Sequence, residues 1–312
     1  MAHYRTMTTS SDEPDRTIVV GADGSAASER ALRWAALEAV RTSATLRIVN
    51  VWSVPAMAWP ATIGAVYLDP GDIEEGARRI VERAQSSVRR AVGQDALVSD
   101  TSTMQGGPAE CLMVAARGAS LLVLGNRGRG GFASLVLGSV AATCAHHSTV
   151  PVAVVGVDAP APGTGEVVVG VDDSIGGRGA LRWAVGEAAR VGVGVRAVHG
   201  WELPIAGLDG APTLGPLEDP DLAEAARSGF ERFVADETAD LAERPPISVV
   251  TLPLSAPEAL IQEAKGAALL VVGSRGRAGF VGLLMGSVSQ HCLHHSPCPL
   301  VIVPTAPAPT GT

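Results

Sequence analysis

The chain has 312 residues, of which 46% are hydrophobic, 18% charged and 4% aromatic, a composition typical of globular domains that bury a sizeable core. Its net charge of -8 disfavours a nucleic-acid partner, because a phosphate backbone attracts surfaces rich in Lys and Arg. The four cysteines are too few for a disulfide framework, and we find neither a bilayer-spanning apolar run nor an apolar signal segment, so we expect a cytoplasmic protein without a membrane partner.

The first half of the chain alternates between short apolar runs and helical spacing of apolar residues. The pattern predicts strands at 18–20, 46–51, 97–103, 121–124 and 152–155, and helices between the first two strands and then at 73–92, 108–117 and 138–146. Runs such as LLVLG and VAVV are apolar throughout, as expected of strands buried on both faces. The order β-α-β-α-β-α-β-α-β therefore favours a parallel, doubly wound sheet.

The second half of the chain repeats the first. The segment ALRWA occurs at 31–35 and again at 180–184, and LLVLGNRGRGGF from Leu121 matches LLVVGSRGRAGF from Leu269. We therefore predict two tandem α/β domains of Rossmann-like type, each a five-stranded parallel sheet flanked by helices on both faces. A Pro- and Gly-rich stretch separates them. The predicted boundaries are a flexible arm at 1–15, domains at 16–157 and 166–304, a linker at 158–165 and a disordered tail at 305–312.

Open parallel sheets bind ligands at the carboxyl ends of their strands, where the strand order reverses. The first strand ends in GADGS, which contains Asp23, and the fourth strand ends in a loop rich in glycine. Glycine allows backbone N–H groups to approach a phosphate closely and allows positive φ, and the helix after the loop adds its dipole. A tight turn packed on a helix is the alternative interpretation. The phosphate site is favoured because the second half repeats both the loop and the Asp, as Asp172.

Lys265 is the only lysine of the chain, which excludes a Walker A loop, since that loop needs a Lys beside its Ser or Thr. Four arginines lie in the glycine loops instead: Arg127, Arg129, Arg275 and Arg277. Their guanidinium groups either pair with phosphates or are solvated while backbone amides hold the anion. The sequence leaves both interpretations open.

The spacing G-x2-G-x9-G-S is intact in both halves, from Gly125 to Ser139 and from Gly273 to Ser287. With this motif the chain resembles a tandem universal stress protein of the ATP-binding subclass, in the adenine-nucleotide α-hydrolase-like superfamily. The resemblance covers nearly the whole chain. It implies ATP as the ligand, with Mg²⁺ or Mn²⁺ accompanying the phosphates.

The resemblance also implies roles for particular residues. The strand-one Asp of each half contacts the nucleotide, the backbone at Val51 and Gly200 reads the adenine, and the phosphates lie on the glycine loop and its Ser. Gly200 replaces the Val of the first half and is expected to loosen packing against the base. The residues expected to bind ATP are Gly21, Asp23, Val51, Gly125, Asn126, Arg127, Gly128, Arg129, Gly130, Gly131, Gly138, Ser139 and Val140 in the first domain, and Gly170, Asp172, Gly200, Gly273, Ser274, Arg275, Gly276, Arg277, Ala278, Gly279, Gly286, Ser287 and Val288 in the second.

Cys and His recur near the end of each half, as CAHH from Cys144 and as CLHH from Cys292. This spacing puts the side chains on different faces of a helix, so that one ion could not easily collect them, and no metal site is predicted here. Buried cysteines followed by histidines at a helix C-terminus are the favoured interpretation.

No residue is assigned a catalytic role, because the chain lacks a G-x-S-x-G elbow, an H-E-x-x-H motif and clustered carboxylates. We expect an ATP-dependent regulator or sensor of the stress response, with one site in each domain and at most slow hydrolysis. The alternatives are an adenine-nucleotide hydrolase or transferase of the same fold and a purely structural dimer module. The two domains are expected to pack as a pseudo-twofold pair, and a homodimer and a protein partner are left open.

Overall fold

The computed structural model describes residues 16–54, 69–93, 97, 99–128, 137–156, 165–201, 220–276 and 285–305. The predicted arm lies outside these ranges, as do the predicted linker apart from Gly165 and the predicted tail apart from Thr305. Within the described part of the first half, strands and helices alternate. In chain order they are β1 (Thr17–Gly21), α1 (Ala26–Arg41), β2 (Thr45–Trp52), α2 (Pro70–Val92), β3 (Ser99–Gln105), α3 (Pro108–Ala115), β4 (Leu121–Gly125), α4 (Ser139–His147) and β5 (Val152–Val155).

The second half has the same order of elements. They are β6 (Val167–Gly170), α5 (Ile175–Val191), β7 (Val195–Gly200), α6 (Pro220–Glu237), β8 (Ile247–Leu252), α7 (Ala256–Glu263), β9 (Leu269–Gly273), α8 (Ser287–His295) and β10 (Leu300–Val303). The predicted alternation of strands and helices is therefore confirmed in both halves.

The bounds differ from the prediction where capping or polar sequence decides them. Helix α2 begins at Pro70 rather than at 73, because the Asp69 side chain accepts a hydrogen bond from the Gly71 N–H at 2.8 Å and proline suits a first helical turn. Strand β3 ends two residues beyond the predicted 97–103. Its sequence SDTSTMQ is largely polar, so no apolar pattern marks where it begins and ends.

All described strands belong to one ten-stranded sheet, in the order β3-β2-β1-β4-β5-β10-β9-β6-β7-β8. Within each half the strands are parallel, and the first strand lies between the second and the fourth. This reversal of strand order on either side of β1 and β6 opens a crevice at their carboxyl ends.

The two predicted five-stranded sheets are merged by the antiparallel pairing of β5 with β10, which places Leu300 opposite Val154. Both strands are buried along their whole length, and each would otherwise be an exposed apolar sheet edge. Because the pairing is antiparallel, the strands of the two halves point in opposite directions. The carboxyl ends of the strands, and with them the two crevices, therefore lie at opposite ends of the sheet along the strand direction.

Helices cover both faces of the sheet, as the alternation of side chains along β1 shows. Ile18 and Val20 belong to the core under α1, α2, α5 and α6, whereas Val19 belongs to the core under α3, α4, α7 and α8. Each core extends through both halves, so the molecule has two apolar layers separated by one sheet. No helix in the described ranges is long and apolar enough to cross a membrane.

The merged sheet predicts a large cost for truncating a side chain at the junction. Leu300 is 2% exposed, and Leu300→Ala should lower the free energy of unfolding by about 2–5 kcal/mol because a cavity remains beside β5 and β9. Ile175, which is 69% exposed, provides the control: Ile175→Ala should change stability by no more than about 0.5 kcal/mol. Urea unfolding measures both, and equal effects would contradict the buried junction.

Candidate functional site

Each crevice at the carboxyl end of the parallel strands contains a cavity. The cavity of the first half has a volume of about 430 Å³ and that of the second about 410 Å³, within the range of small-molecule sites. Each lies between the end of the first strand and the start of the helix that follows the glycine loop. Predicted residues that line the cavities are Gly21, Asp23, Val51, Gly125, Arg127, Gly128, Gly138, Ser139 and Val140 in one half, and Gly170, Asp172, Gly200, Gly273, Arg275, Gly276, Gly286, Ser287 and Val288 in the other.

The remaining predicted residues fall into two groups. Arg129, Gly130 and Gly131 lie outside the described residues, as do Arg277, Ala278 and Gly279. Asn126 and Ser274 are described but hold the loop rather than line the cavity. The backbone N–H of Asn126 donates to the carbonyl of Val155, the last residue of β5, at 3.1 Å. The backbone N–H of Ser274 donates to the carbonyl of Val303, the last residue of β10, at 2.8 Å.

The helix N-terminus after each glycine loop faces the cavity without a side-chain cap. Gly138 and Gly286 are the cap residues of α4 and α8, and neither has a side chain that could accept from the first amides. The backbone fixes both caps instead, since the Gly138 N–H donates to the Asn126 carbonyl at 2.7 Å and the Gly286 N–H to the Ser274 carbonyl at 2.8 Å. The first amides of a helix have no intrahelical acceptor, so this end of the cavity is suited to an anion.

The Asp at the end of the first strand lies directly against the glycine loop. The Asp23 carboxylate accepts a hydrogen bond from the Ser25 N–H at 2.8 Å, and a Cβ atom built on Gly128 would stand 2.8 Å from its Oδ2. In the second half a Cβ atom on Gly276 would stand 2.8 Å from Asp172 Oδ2, and Ser174 donates to the same carboxylate through its N–H and its hydroxyl. The structure thus brings the predicted Asp and the predicted loop together in both halves.

The first glycine of each loop is explained by packing. A Cβ atom on Gly125 would stand 2.7 Å from the backbone oxygen of Ala27, and one on Gly273 would stand 2.5 Å from that of Gly176. The first turns of α1 and α5 therefore press directly on the loops. None of the described loop glycines has positive φ, so the expectation that the loop uses glycine for positive φ is wrong at Gly125 and Gly128 and at their counterparts in the second half.

Apolar side chains form a wall of each cavity. They are Val49, Val51, Leu112 and Leu124 in the first half, and Val198, Leu260, Val272 and Met285 in the second. Gly200 in the second half is closely packed by backbone, and its expected effect on packing against the base stays a prediction. A Cβ atom there would stand 2.7 Å from Ala256 Cα and 2.9 Å from the Leu254 carbonyl oxygen. The backbone at the start of α7 therefore occupies the space that a side chain would take.

Sequence reasoning missed two polar residues that support the strand-one Asp. Asn50 Nδ2 donates to the Ala22 carbonyl at 2.6 Å, and His199 Nδ1 lies 2.8 Å from the Val171 carbonyl. Since a carbonyl can only accept, Nδ1 carries the proton of His199. The two residues occupy equivalent positions of the repeat, and each fixes the residue just before the Asp. The only signal was a polar residue near the carboxyl end of the second strand of each half.

The cysteines and histidines near the end of each half lie away from this arrangement. Cys144 and Cys292 are fully buried in α4 and α8, and burial raises the pKa of each thiol to about 12. The histidines follow in the last turn of each helix. The interpretation as buried thiols with histidines at a helix C-terminus is confirmed. Within the described ranges, no group of three Cys, His, Asp or Glu side chains is placed to hold a metal ion.

Known proteins share this sequence pattern and this fold. A model described as the universal stress protein family matches residues 15–156 and 164–304. A universal stress protein of Mycolicibacterium smegmatis is 34% identical over 293 residues, covering 92% of this chain and 96% of the relative. One of Mycobacterium tuberculosis is 33% identical over 296 residues, covering 91% and 96%. The solved structure of a universal stress protein from Archaeoglobus fulgidus has a TM-score of 0.67 at 18% identity, covers 94% of this chain and 100% of its own, and shows the same fold.

The two kinds of glycine in the loop predict different effects of a methyl group. Gly125→Ala forces a Cβ atom against the Ala27 backbone and should lower the free energy of unfolding by about 1–3 kcal/mol, as overpacking does. Gly128→Ala meets only the end of the Asp23 side chain, which can rotate away, so its effect should stay below about 1 kcal/mol. Urea unfolding of both variants checks this. A larger loss for Gly128→Ala than for Gly125→Ala would contradict the packing role of Gly125.

Proposed function

We propose that this chain, which belongs to the universal stress protein family, binds one ATP in each half and acts as a nucleotide-dependent regulator of the stress response. The strongest support is the arrangement of groups around the cavity, which is the same in both halves. An uncapped helix N-terminus and a carboxylate meet at the glycine loop, and an apolar wall lines the same cavity. The two ends of a nucleotide need these two environments.

The residues present fit the parts of ATP. Backbone amides at the start of α4, with Arg127 also lining the cavity, suit the phosphates, and the apolar wall suits the base. A carboxylate repels phosphate oxygens, so Asp23 is suited to accept from a hydroxyl group of the ribose. The described residues bring no three ligands together for a metal, and Mg²⁺ or Mn²⁺ would therefore enter with the phosphates that it neutralises.

The same cavities favour holding a nucleotide over rapid turnover. Among the described residues that line them, each cavity has a single carboxylate, Asp23 or Asp172. Both accept hydrogen bonds from a neighbouring Ser, and the Nδ1 atom of His199 donates to a backbone carbonyl. A general base must reach an attacking water while a second group stabilises the leaving phosphate. Among the described lining residues, the first cavity has no second carboxylate or imidazole, and in the second cavity the one imidazole, His199, is held through Nδ1 by the Val171 carbonyl.

Binding measurements on glycine variants test the proposal. Isothermal titration with ATP should show two sites, and Gly128→Ala and Gly276→Ala should each weaken one of them at least about tenfold, because each displaces a carboxylate from a charge-assisted hydrogen bond. Gly229→Ala is the matched control, since a Cβ atom there meets nothing within 4 Å. Unchanged affinity in both loop variants, or no binding at millimolar ATP, would reject the sites.

Chromatography of the nucleotide after incubation tests whether the sites hold ATP or hydrolyse it. With Mg²⁺ present, ATP should be recovered largely intact, because the one carboxylate among the described lining residues of each cavity already accepts a hydrogen bond from a neighbouring Ser. Rapid formation of ADP or AMP that disappears in the double variant Asp23→Ala and Asp172→Ala would establish a catalyst instead. The single variants then show which half carries the activity.

A further inference from the structure

Two buried glutamates meet where the halves of the molecule join. Glu38 on α1 and Glu187 on α5 hold equivalent positions in the repeated segments ALRWAALE and ALRWAVGE. Each residue is only 4% exposed, and the two carboxyl groups lie within hydrogen-bonding reach of each other. Both helices lie on the same face of the sheet, beside the pairing of β5 with β10.

A hydrogen bond between two carboxyl groups has a chemical requirement. Ionised carboxylates only accept, so one of the two groups must carry a proton. Two ionised carboxylates within hydrogen-bonding reach would also repel each other strongly, because the protein interior screens charges poorly. A stable contact between Glu38 and Glu187 therefore involves one proton that both groups share.

Three arginines form ion pairs with the two carboxyl groups. Arg41 contacts Glu38 at 3.2 Å from α1, and Arg190 forms an ion pair with Glu187 from α5. From the segment before β1, Arg16 approaches Glu187 at 3.6 Å. The neighbouring strands β5 and β10 consist only of Ala, Val, Leu and Ile, and they add no titratable group.

We propose that Glu38 and Glu187 form a proton-binding site whose occupancy stabilises the association of the two halves. The site has its own geometry at the junction and does not depend on the proposed ATP sites. Protonation turns a repulsive pair of buried charges into a hydrogen bond with one net negative charge, which the arginines face. Loss of the proton restores the repulsion within the junction.

The sign of the pH effect follows from the protonation of Glu38. Burial, followed by the hydrogen bond and the charge of Glu187, raises the pKa of Glu38 to about 8, and Arg41 and Arg16 oppose this only in part. Between its ordinary pKa near 4.5 and about 8, the folded chain holds a proton that the unfolded chain has lost. The stabilisation is complete below the lower value and is lost as the pH rises through the higher one.

A carboxyl titration of the full chain tests the proposal directly. With ¹³C-labelled glutamate, NMR should show a carboxyl group that titrates near pH 8, far from the exposed glutamates, and it should vanish in Glu38→Gln. Glu187→Gln assigns the partner resonance. If both carboxyl groups titrate together with the exposed glutamates, the proton site does not exist. This measurement needs no variant to fold, because the titration of the unmodified protein already decides the outcome.

Unfolding as a function of pH tests the link to the junction. In the unmodified chain the unfolding constant should rise between about pH 5.5 and pH 8, by at most about tenfold per pH unit for one proton. Glu38→Gln keeps a hydrogen-bond donor without the charge, so this rise should disappear and the variant should be the more stable protein above about pH 8. Glu74→Gln, an exposed partner of Arg78 on α2, is the matched control and should keep the rise. Equal pH dependence in Glu38→Gln and the unmodified chain would overturn the proposal.

Discussion

The candidate sites depend on one contact between backbones, the approach of the first helix of each half to the glycine loop. At Gly125 there is no room for a methyl group against the Ala27 carbonyl, and Gly273 is closer still to Gly176. The pairing of β1 with β4 sets their carboxyl ends side by side, and this contact fixes the helix after β1 against the loop after β4. The Asp at one strand end can then lie beside the loop at the other.

The two halves build the same arrangement from different side chains. Asn50 and His199 both hold the carbonyl before the Asp, although one is an amide and the other an imidazole. Gly200 stands at the position of Val51, and the space that a side chain would take there is occupied by backbone from the start of α7. What is shared is therefore the position of the backbone and of the carboxylate. Ligand recognition that used mainly backbone amides would tolerate such changes.

The parts that were predictable from sequence are those encoded within one half. Short apolar runs predicted β4 and β5, because a local pattern is enough to identify a buried strand. The repeat of the Asp and the loop at the ends of neighbouring strands predicted that the two lie together, because sheet topology brings those ends to one place. The pairing of β5 with β10 was not predicted, since it needs two copies placed edge to edge. The roles of Gly125 and of Asn50 were missed because distant backbone explains them, and no periodicity records such contacts.

Edge-to-edge pairing of two copies also explains why Glu38 and Glu187 face each other. Around a pseudo-twofold axis, equivalent positions lie opposite one another, as identical residues do in a symmetric dimer. An acid near the axis is therefore opposed by an acid whenever both copies keep it. In one half alone, a glutamate at the end of an amphipathic helix looks like an ordinary exposed residue beside Arg41. In the folded chain it is buried, and the second half places Glu187 beside it, so that the proposed shared proton is a property of both halves together.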